Sequence, residues 1–390
     1  MEFRNGCMRF RRVTRWAAKL WAIALAVLVL WYGLSSLRAD RGLGASYESD
    51  DPVVATYLRE QAAFASQSDA AHSAADAPRP RAPVAPSPAS AAANDSRYID
   101  VLILFTKAKG NAKLAARFRT CVASMLRHAS VPIHYHLVSD DESAAVAADA
   151  FRELAEPGRI AATTPPYRVR AHSVSEMARQ LHGLVSHLQA HFSYKPGAYY
   201  SDALFFLSVA LHRVLDLRRV IMLDSDLEFR GDIGALYDHF ARFKDGHVMG
   251  MAHEMQPVYR HTFSAYRGRH PGTRVGGPPP GGLTGYNSGV VLLDLDRMRR
   301  SREYNDLLNA SVISDLAAKY SFKGHLGDQD FFTLISLEHE DLFYTLPCTW
   351  NYQLCTWWRD HGYTDIFEQY FTCEGDVMVY HGNCGSQIPS

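Results

Sequence analysis

From residue 98 onward, short apolar runs alternate with amphipathic stretches. Tyr98–Phe105 (YIDVLILF) is an apolar run of strand length that ends at Thr106-Lys107. Ala112–Leu126 spaces its apolar residues as a helix does, Ile133–Val138 reads as a second strand, and Glu142–Leu154 as a second helix. Strands separated by helices of about ten or more residues indicate βαβ units and a mostly parallel sheet. Helical sequence then runs to about residue 215, where Ser201–Leu215 leads directly into a short buried strand, Arg219–Leu223. His247–Ala252 and Gly289–Leu295 are further strands, Asp330–Leu337 is helical, and Val377–His381 is strand-like. Met255–Gly285 contains PGTRVGGPPPGG and has no period. A loop that long inside a compact domain is more often functional than idle. In open α/β sheets ligands bind beyond the carboxyl ends of strands, and the motifs described below all fall at such ends.

Ahead of residue 98 the pattern changes twice. Arg4, Arg9, Arg11, Arg12, Arg15 and Lys19 precede an apolar run flanked by Trp16, Trp21, Trp31 and Tyr32. A spanning helix needs about 17–25 mostly apolar residues, which 20–37 just supplies. The basic flank places residues 1–19 in the cytosol and everything downstream in a lumen. A cleaved signal peptide is the alternative, but aromatic residues at both ends and the lack of a small-residue cleavage site favour a signal-anchor. Residues 38–97, rich in Ala, Ser and Pro, cannot bury enough apolar surface to offset their conformational entropy, and read as a disordered stem. Residues 98–390 form the one folded domain.

Composition adds two constraints. With 41 basic and 41 acidic residues among 390, the chain has no net charge, which argues against nucleic acid as a partner. Of six cysteines, Cys348, Cys355, Cys373 and Cys384 crowd the final segment. In an oxidising lumen they are expected to form two disulfides, with three connectivities open, whereas Cys121, in a helical pattern, is expected to be an inert buried thiol. Asn94-Asp-Ser and Asn309-Ala-Ser are glycosylation sequons consistent with that compartment.

Asp224-Ser225-Asp226 follows the apolar run Val220–Leu223. Two carboxylates at i and i+2 point to one side and can hold a hard divalent cation, which in turn can bridge the phosphates of a departing diphosphate. His381-Gly382 ends the last strand. An imidazole beside two carboxylates favours manganese over magnesium, and a glycine there allows backbone to approach a phosphate closely. Gly327-Asp328-Gln329-Asp330 opens a helix, where Asp328 can serve as the N-cap. Gly285-Tyr286-Asn287-Ser288-Gly289 reads as a turn before a strand, with Asn287 available to a sugar hydroxyl or a carboxylate.

In this order, a strand ending in FTK, a DSD, a YNSGV, a GDQD and a terminal YHG resemble the family 8 glycosyltransferases. The resemblance covers about Tyr98 to Gly385. It implies the GT-A fold, an α/β Rossmann-like architecture with a mostly parallel mixed sheet flanked by helices. Within the family it points to members that move xylose from UDP-xylose, with retention, onto a xylose–glucose O-glycan on EGF-like repeats such as those of Notch. The TWNYQLCTWW segment and the C-terminal cysteines carry this finer likeness. It implies Mn2+, with Mg2+ weaker, on Asp224, Asp226 and His381. UDP-xylose would lie against Phe105, Thr106, Lys107, Ser225, Asn287, Ser288, Gln329 and Gly382, with Gln329, Asp328 and Asn287 serving catalysis. His261, Thr262, Phe263, Ser264, Trp357 and Trp358 would face the acceptor. The implied setting is the endoplasmic reticulum membrane, or alternatively the Golgi, and a homodimer is compatible with it. A glucosyl- or galactosyltransferase of the same fold, and an idle lectin-like binder, are the competing readings. One departure stands out: where many family members continue His-Gly-x-x-Lys, this chain has His381-Gly382-Asn383-Cys384-Gly385.

Overall fold

The structure, a computed structural model, describes residues 97–193 and 202–389. The tail, anchor and stem expected over 1–97 lie outside these residues except for Arg97. Among the described residues no helix is long and apolar enough to cross a membrane.

Ten strands follow in chain order: β1 (Ile99–Leu104), β2 (Ile133–Ser139), β3 (Tyr167–Ser173), β4 (Val220–Leu223), β5 (Leu227–Phe229), β6 (Met249–His253), β7 (Tyr286–Leu293), β8 (Phe343–Thr345), β9 (Tyr352–Gln353) and β10 (Val379–His381). Seven form one sheet in the order β3-β2-β1-β4-β7-β6-β8. Its pairings are parallel except that β7 runs against both neighbours. The strands are buried because their side chains alternate between two apolar layers. Leu102, Met222, Val291 and Leu293 enter one layer; Val101, Ile103, Ile221, Leu223 and Val290 enter the other. The helices Ala112–His128 and Asp141–Leu154, capped by the Asn111 and Asp140 side chains, supply much of the second layer.

Three expectations need correction. Helical sequence does not run unbroken from Leu154 to residue 215: β3 precedes the helices Val174–Gln180, His182–Phe192 and Ala203–Arg213 and pairs with β2 along its whole length. Its residues are mostly exposed, and Arg168 and Arg170 stand on it, so no apolar run marks it; charge on an edge strand guards against further pairing. Tyr286-Asn287-Ser288 is not a turn but the opening of β7. Asp328 does not cap its helix: the cap position is Gly327, at φ 66°, and Asp328 lies inside the helix Asp328–Ser336.

Two local features build the site. The β6–β7 register jumps from Met251↔Val291 to Ala252↔Asn287, so Ser288, Gly289 and Val290 bulge past β6. Bulges of this kind re-aim side chains. A second, small sheet holds β10 between β5, antiparallel, and β9, parallel. The disulfides Cys348–Cys373 and Cys355–Cys384 flank it and select one of the three connectivities. Cys121 is free, buried and pushed far above the usual thiol range by burial, as expected of an inert core residue.

Candidate active site

Asp224 follows β4, and Asp226 precedes β5. The Asp224 amide donates to Gly289 O (2.9 Å), tying the end of β4 to the bulge of β7. His381 ends β10, and the adjacent Gly382 amide donates to Asp226 O (2.9 Å). The three side chains therefore meet: His381 Nε2 is 3.5 Å from Asp224 Oδ2 and 3.4 Å from Asp226 Oδ1. All three ligand atoms lie within 4.8 Å of one another.

The His381 tautomer follows from a chain of hydrogen bonds. The Gly289 amide can only donate, and it donates to Asn287 Oδ1 (3.0 Å). Asn287 Nδ2 then donates to Glu254 Oε2 (3.0 Å). Asn351 Nδ2 donates to Asn287 Oδ1 (2.9 Å), which leaves Asn351 Oδ1 to accept from His381 Nδ1 at 3.0 Å. Nδ1 carries the proton, and Nε2 faces the carboxylates. An outer partner that fixes a ligand's tautomer is the usual companion of a metal-binding imidazole.

Electrostatics agree. Burial would depress His381, but Asp226 and Asp224 outweigh it and raise the imidazole to about 10. Burial would raise Asp226, but His381 and Arg117 hold it below the usual carboxylate range; Arg117 Nη1 is 3.6 Å from Asp226 Oδ2. A cluster that binds an extra proton this firmly suits a divalent cation in that proton's place. Two carboxylates and one imidazole with a set tautomer fit the expected metal.

Beside this cluster, Glu254 gathers a second group of polar residues, Asn287 among them. Its Oε2 also accepts from Gln329 Nε2 (3.2 Å), and its Oε1 from the Gln256 amide (3.1 Å). Gln329 Nε2 also reaches Tyr259 OH (3.3 Å), which donates to Asp330 Oδ1 (2.9 Å), and Gln329 Oε1 accepts from the Ser288 amide (3.2 Å). Asp328 accepts from Ser288 Oγ (3.2 Å) and from Ser208 Oγ. Burial raises Glu254 and Asp328 to about 7 each.

The expected residues thus divide. Asp224, Asp226, His381, Asn287, Ser288, Asp328 and Gln329 converge. Ser225 lies half-buried between the aspartates, and Thr106 and Lys107 stand at the end of β1. The Lys107 amide donates to Asp140 Oδ2 (2.9 Å), and its ammonium pairs with Asp202. Others are held by internal contacts. Phe105 is core, its ring 4.2 Å from that of Phe118, so no face is left for a base. The Gly382 amide donates to Asp226 O. Asn287 serves the internal network. Phe263 and Trp358 are buried in the core, the former against Phe322, and offer no acceptor surface. His261 bonds Tyr363 OH (2.7 Å), Thr262 Oγ1 donates back to Val258 O (2.9 Å), and the Trp357 ring stacks on His361 at 3.6 Å. Ser264 is exposed. Glu254, Tyr259, Asn351, Ser208 and Arg117 escaped the sequence reading; HEMQ at the end of an apolar strand was the only hint of Glu254.

Residues 103–369 match the profile of Glycosyl transferase family 8. The chain is 50% identical over 295 residues to Xyloside xylosyltransferase 1 of Homo sapiens, covering 74% of each. It is 29% identical over 271 residues to Xylosyl- and glucuronyltransferase LARGE1 of Homo sapiens, covering 69% of this chain and 31% of that one. The crystal structure of mouse Xyloside xylosyltransferase 1, apo form, superposes with a TM-score of 0.71 at 48% identity, covering 75% of this chain and 100% of that chain.

Proposed function

This chain belongs to glycosyltransferase family 8 and has its GT-A-like α/β fold, and from that premise we propose that it transfers xylose from UDP-xylose with retention of configuration. The acceptor in this reading is a xylose–glucose O-glycan on an EGF-like repeat, and the chain is a type II protein of the endoplasmic reticulum membrane with its catalytic domain in the lumen. The observation that carries the reading is the identity to Xyloside xylosyltransferase 1 over nearly all of the folded domain, joined to the convergence of Asp224, Asp226 and His381.

Those three residues would hold Mn2+, which when bound neutralises charge on the departing diphosphate. The remaining work falls to the chain. Retention by double displacement needs a carboxylate nucleophile on the far face of the sugar. The side chain in that role here is the Gln329 amide, a poor nucleophile. Asp328 and Asp330 are committed to Ser208, Ser288 and Tyr259. The acceptor hydroxyl therefore attacks from the face the diphosphate leaves. Its oxygen bonds to the anomeric carbon as the carbon–diphosphate bond breaks, and its proton passes to the departing diphosphate oxygen. The Gln329 carbonyl, held by the Ser288 amide, presents its dipole to the positive charge developing on that carbon.

The test is direct. Purified protein is offered UDP-xylose, UDP-glucose, UDP-galactose and UDP-glucuronic acid with a xylosyl-glucose EGF-repeat acceptor, with and without EDTA. UDP-xylose should be preferred, EDTA should abolish transfer, and manganese should restore it better than magnesium. Preference for a hexose donor, or full activity in EDTA, refutes the reading.

A further inference from the structure

We propose that Asp100, His134 and His136 form a second transition-metal site, suited to Zn2+, at the end of the main sheet opposite the catalytic centre. Asp100 is the second residue of β1, and His134 the second of β2. Their register pairs Asp100 with His134 and Leu102 with His136. Strand residues two apart point to one face, so both imidazoles and the carboxylate stand together where the strands begin. Asp224, Asp226 and the Glu254 network belong to strand ends.

The geometry is convergent. His136 Nε2 is 2.9 Å and His134 Nδ1 3.3 Å from the same oxygen, Asp100 Oδ1. Zinc ligands at about 2.0–2.1 Å in a tetrahedron stand roughly 3.3 Å apart, so an ion fits with little movement. The outer nitrogen of the buried ligand is also held, with His136 Nδ1 2.9 Å from His172 Nε2 on β3. This is the outer support that metal-bound imidazoles usually have. His136 is buried, whereas Asp100 and His134 side chains are 15% and 26% exposed, which leaves a solvent side for entry and for a water ligand. Two imidazoles with one carboxylate favour a transition metal over Mg2+ or Ca2+.

Protonation does not oppose binding. Burial lowers His136, although Asp100 partly offsets it. Burial, His136 and Arg170 push His172 down to about 4. Without an ion, Asp100 Oδ1 accepts from both neighbouring N–H groups, and His172 Nε2–H donates to His136 Nδ1. With an ion, the protons move to His134 Nε2, His136 Nδ1 and His172 Nδ1, and each ring stays neutral. Arg170 opposes a cation, but it is exposed and its charge is screened by solvent, while Asp100 supplies an opposing charge held ionised by the two histidines against burial.

The test uses the full chain carrying Asp226→Asn, which disables the catalytic cluster, after the metal has been stripped. Zn2+ should bind at one equivalent and raise the melting temperature, and Co2+ should give the visible spectrum of an imidazole-bound tetrahedral ion. Adding His134→Ala, at a partly exposed position, should abolish all three signals. Adding Asp100→Asn, which keeps the side-chain shape, should do the same should the first double variant fold poorly. In an otherwise wild-type chain, His134→Ala should leave transfer unchanged. No Zn2+ uptake by the Asp226→Asn chain, or uptake undiminished by the added substitutions, overturns the proposal.

Discussion

Gly289→Ala would put one methyl group into the catalytic centre without altering any ligand. A Cβ at residue 289 would lie 2.3 Å from Cε1, 2.5 Å from Nδ1 and 3.0 Å from Nε2 of His381. Ordinary contact begins at 3.4 Å, so the ring would have to withdraw by 1.1 Å (3.4 minus 2.3). Its backbone is held, since β10 is paired on both edges and the Gly382 amide is fixed to Asp226 O, so the ring can withdraw only by giving up its bond to Asn351. Metal sites tolerate distance errors of only about 0.2 Å, and loss of an outer partner such as Asn351 costs about 10–100-fold in metal affinity. Overpacking itself costs about 1–3 kcal/mol, which in a domain of this size lowers the melting temperature by several degrees. The assay is titration of Mn2+ into the folded variant, with transfer rate measured at saturating donor. We expect metal affinity to fall by at least the lower of those factors, and rate to fall with it, while circular dichroism stays native. A folded Gly289→Ala protein with unchanged metal affinity and rate would refute the packing argument.

Three further outcomes are expected. Glu254, raised from 4.5 to about 7 by burial, gives stability that is full below its unfolded value and is lost as pH rises through about 7. The shift corresponds to about 3 kcal/mol, so Glu254→Gln should flatten the fall in melting temperature of the metal-free protein between about pH 5 and pH 8; an unchanged slope rules Glu254 out as its source. Replacing Cys355 and Cys384 by serine should cost about 2–4 kcal/mol in denaturant unfolding and weaken metal binding through β10, and mass spectrometry finding free thiols at both positions in the native chain would contradict the pairing. Gln329→Ala should slow transfer yet leave the product α-linked by NMR; a β-linked product, or a glycosyl adduct on Asp328 or Asp330, would overturn front-face attack.

The sequence pointed to the grouping of Asp224, Asp226 and His381 because each ends or follows an apolar run, and strand ends are where an open sheet collects its chemistry. It could not disclose Glu254 or Asn351. Their roles arise from the β6–β7 bulge and from the passage of β9 beside β10, and register is not written in periodicity. For the same reason β3 escaped notice, since a polar edge strand has no buried face to mark it. Trp358 and Phe105 were misplaced because an aromatic near a motif looks the same in sequence whether it faces substrate or core. Only packing separates the two.

The placement of His381 on the final strand of the fold also sets the order in which activity can arise during synthesis. A nascent chain stopped before β10 carries Asp224, Asp226 and every strand of the main sheet, yet lacks the imidazole. It also leaves Cys355 without Cys384. On the proposed reading, capacity to bind the ion and to turn over the donor therefore waits for β10. A molecule that lacks the Cys355–Cys384 bridge would keep the imidazole but hold it less firmly.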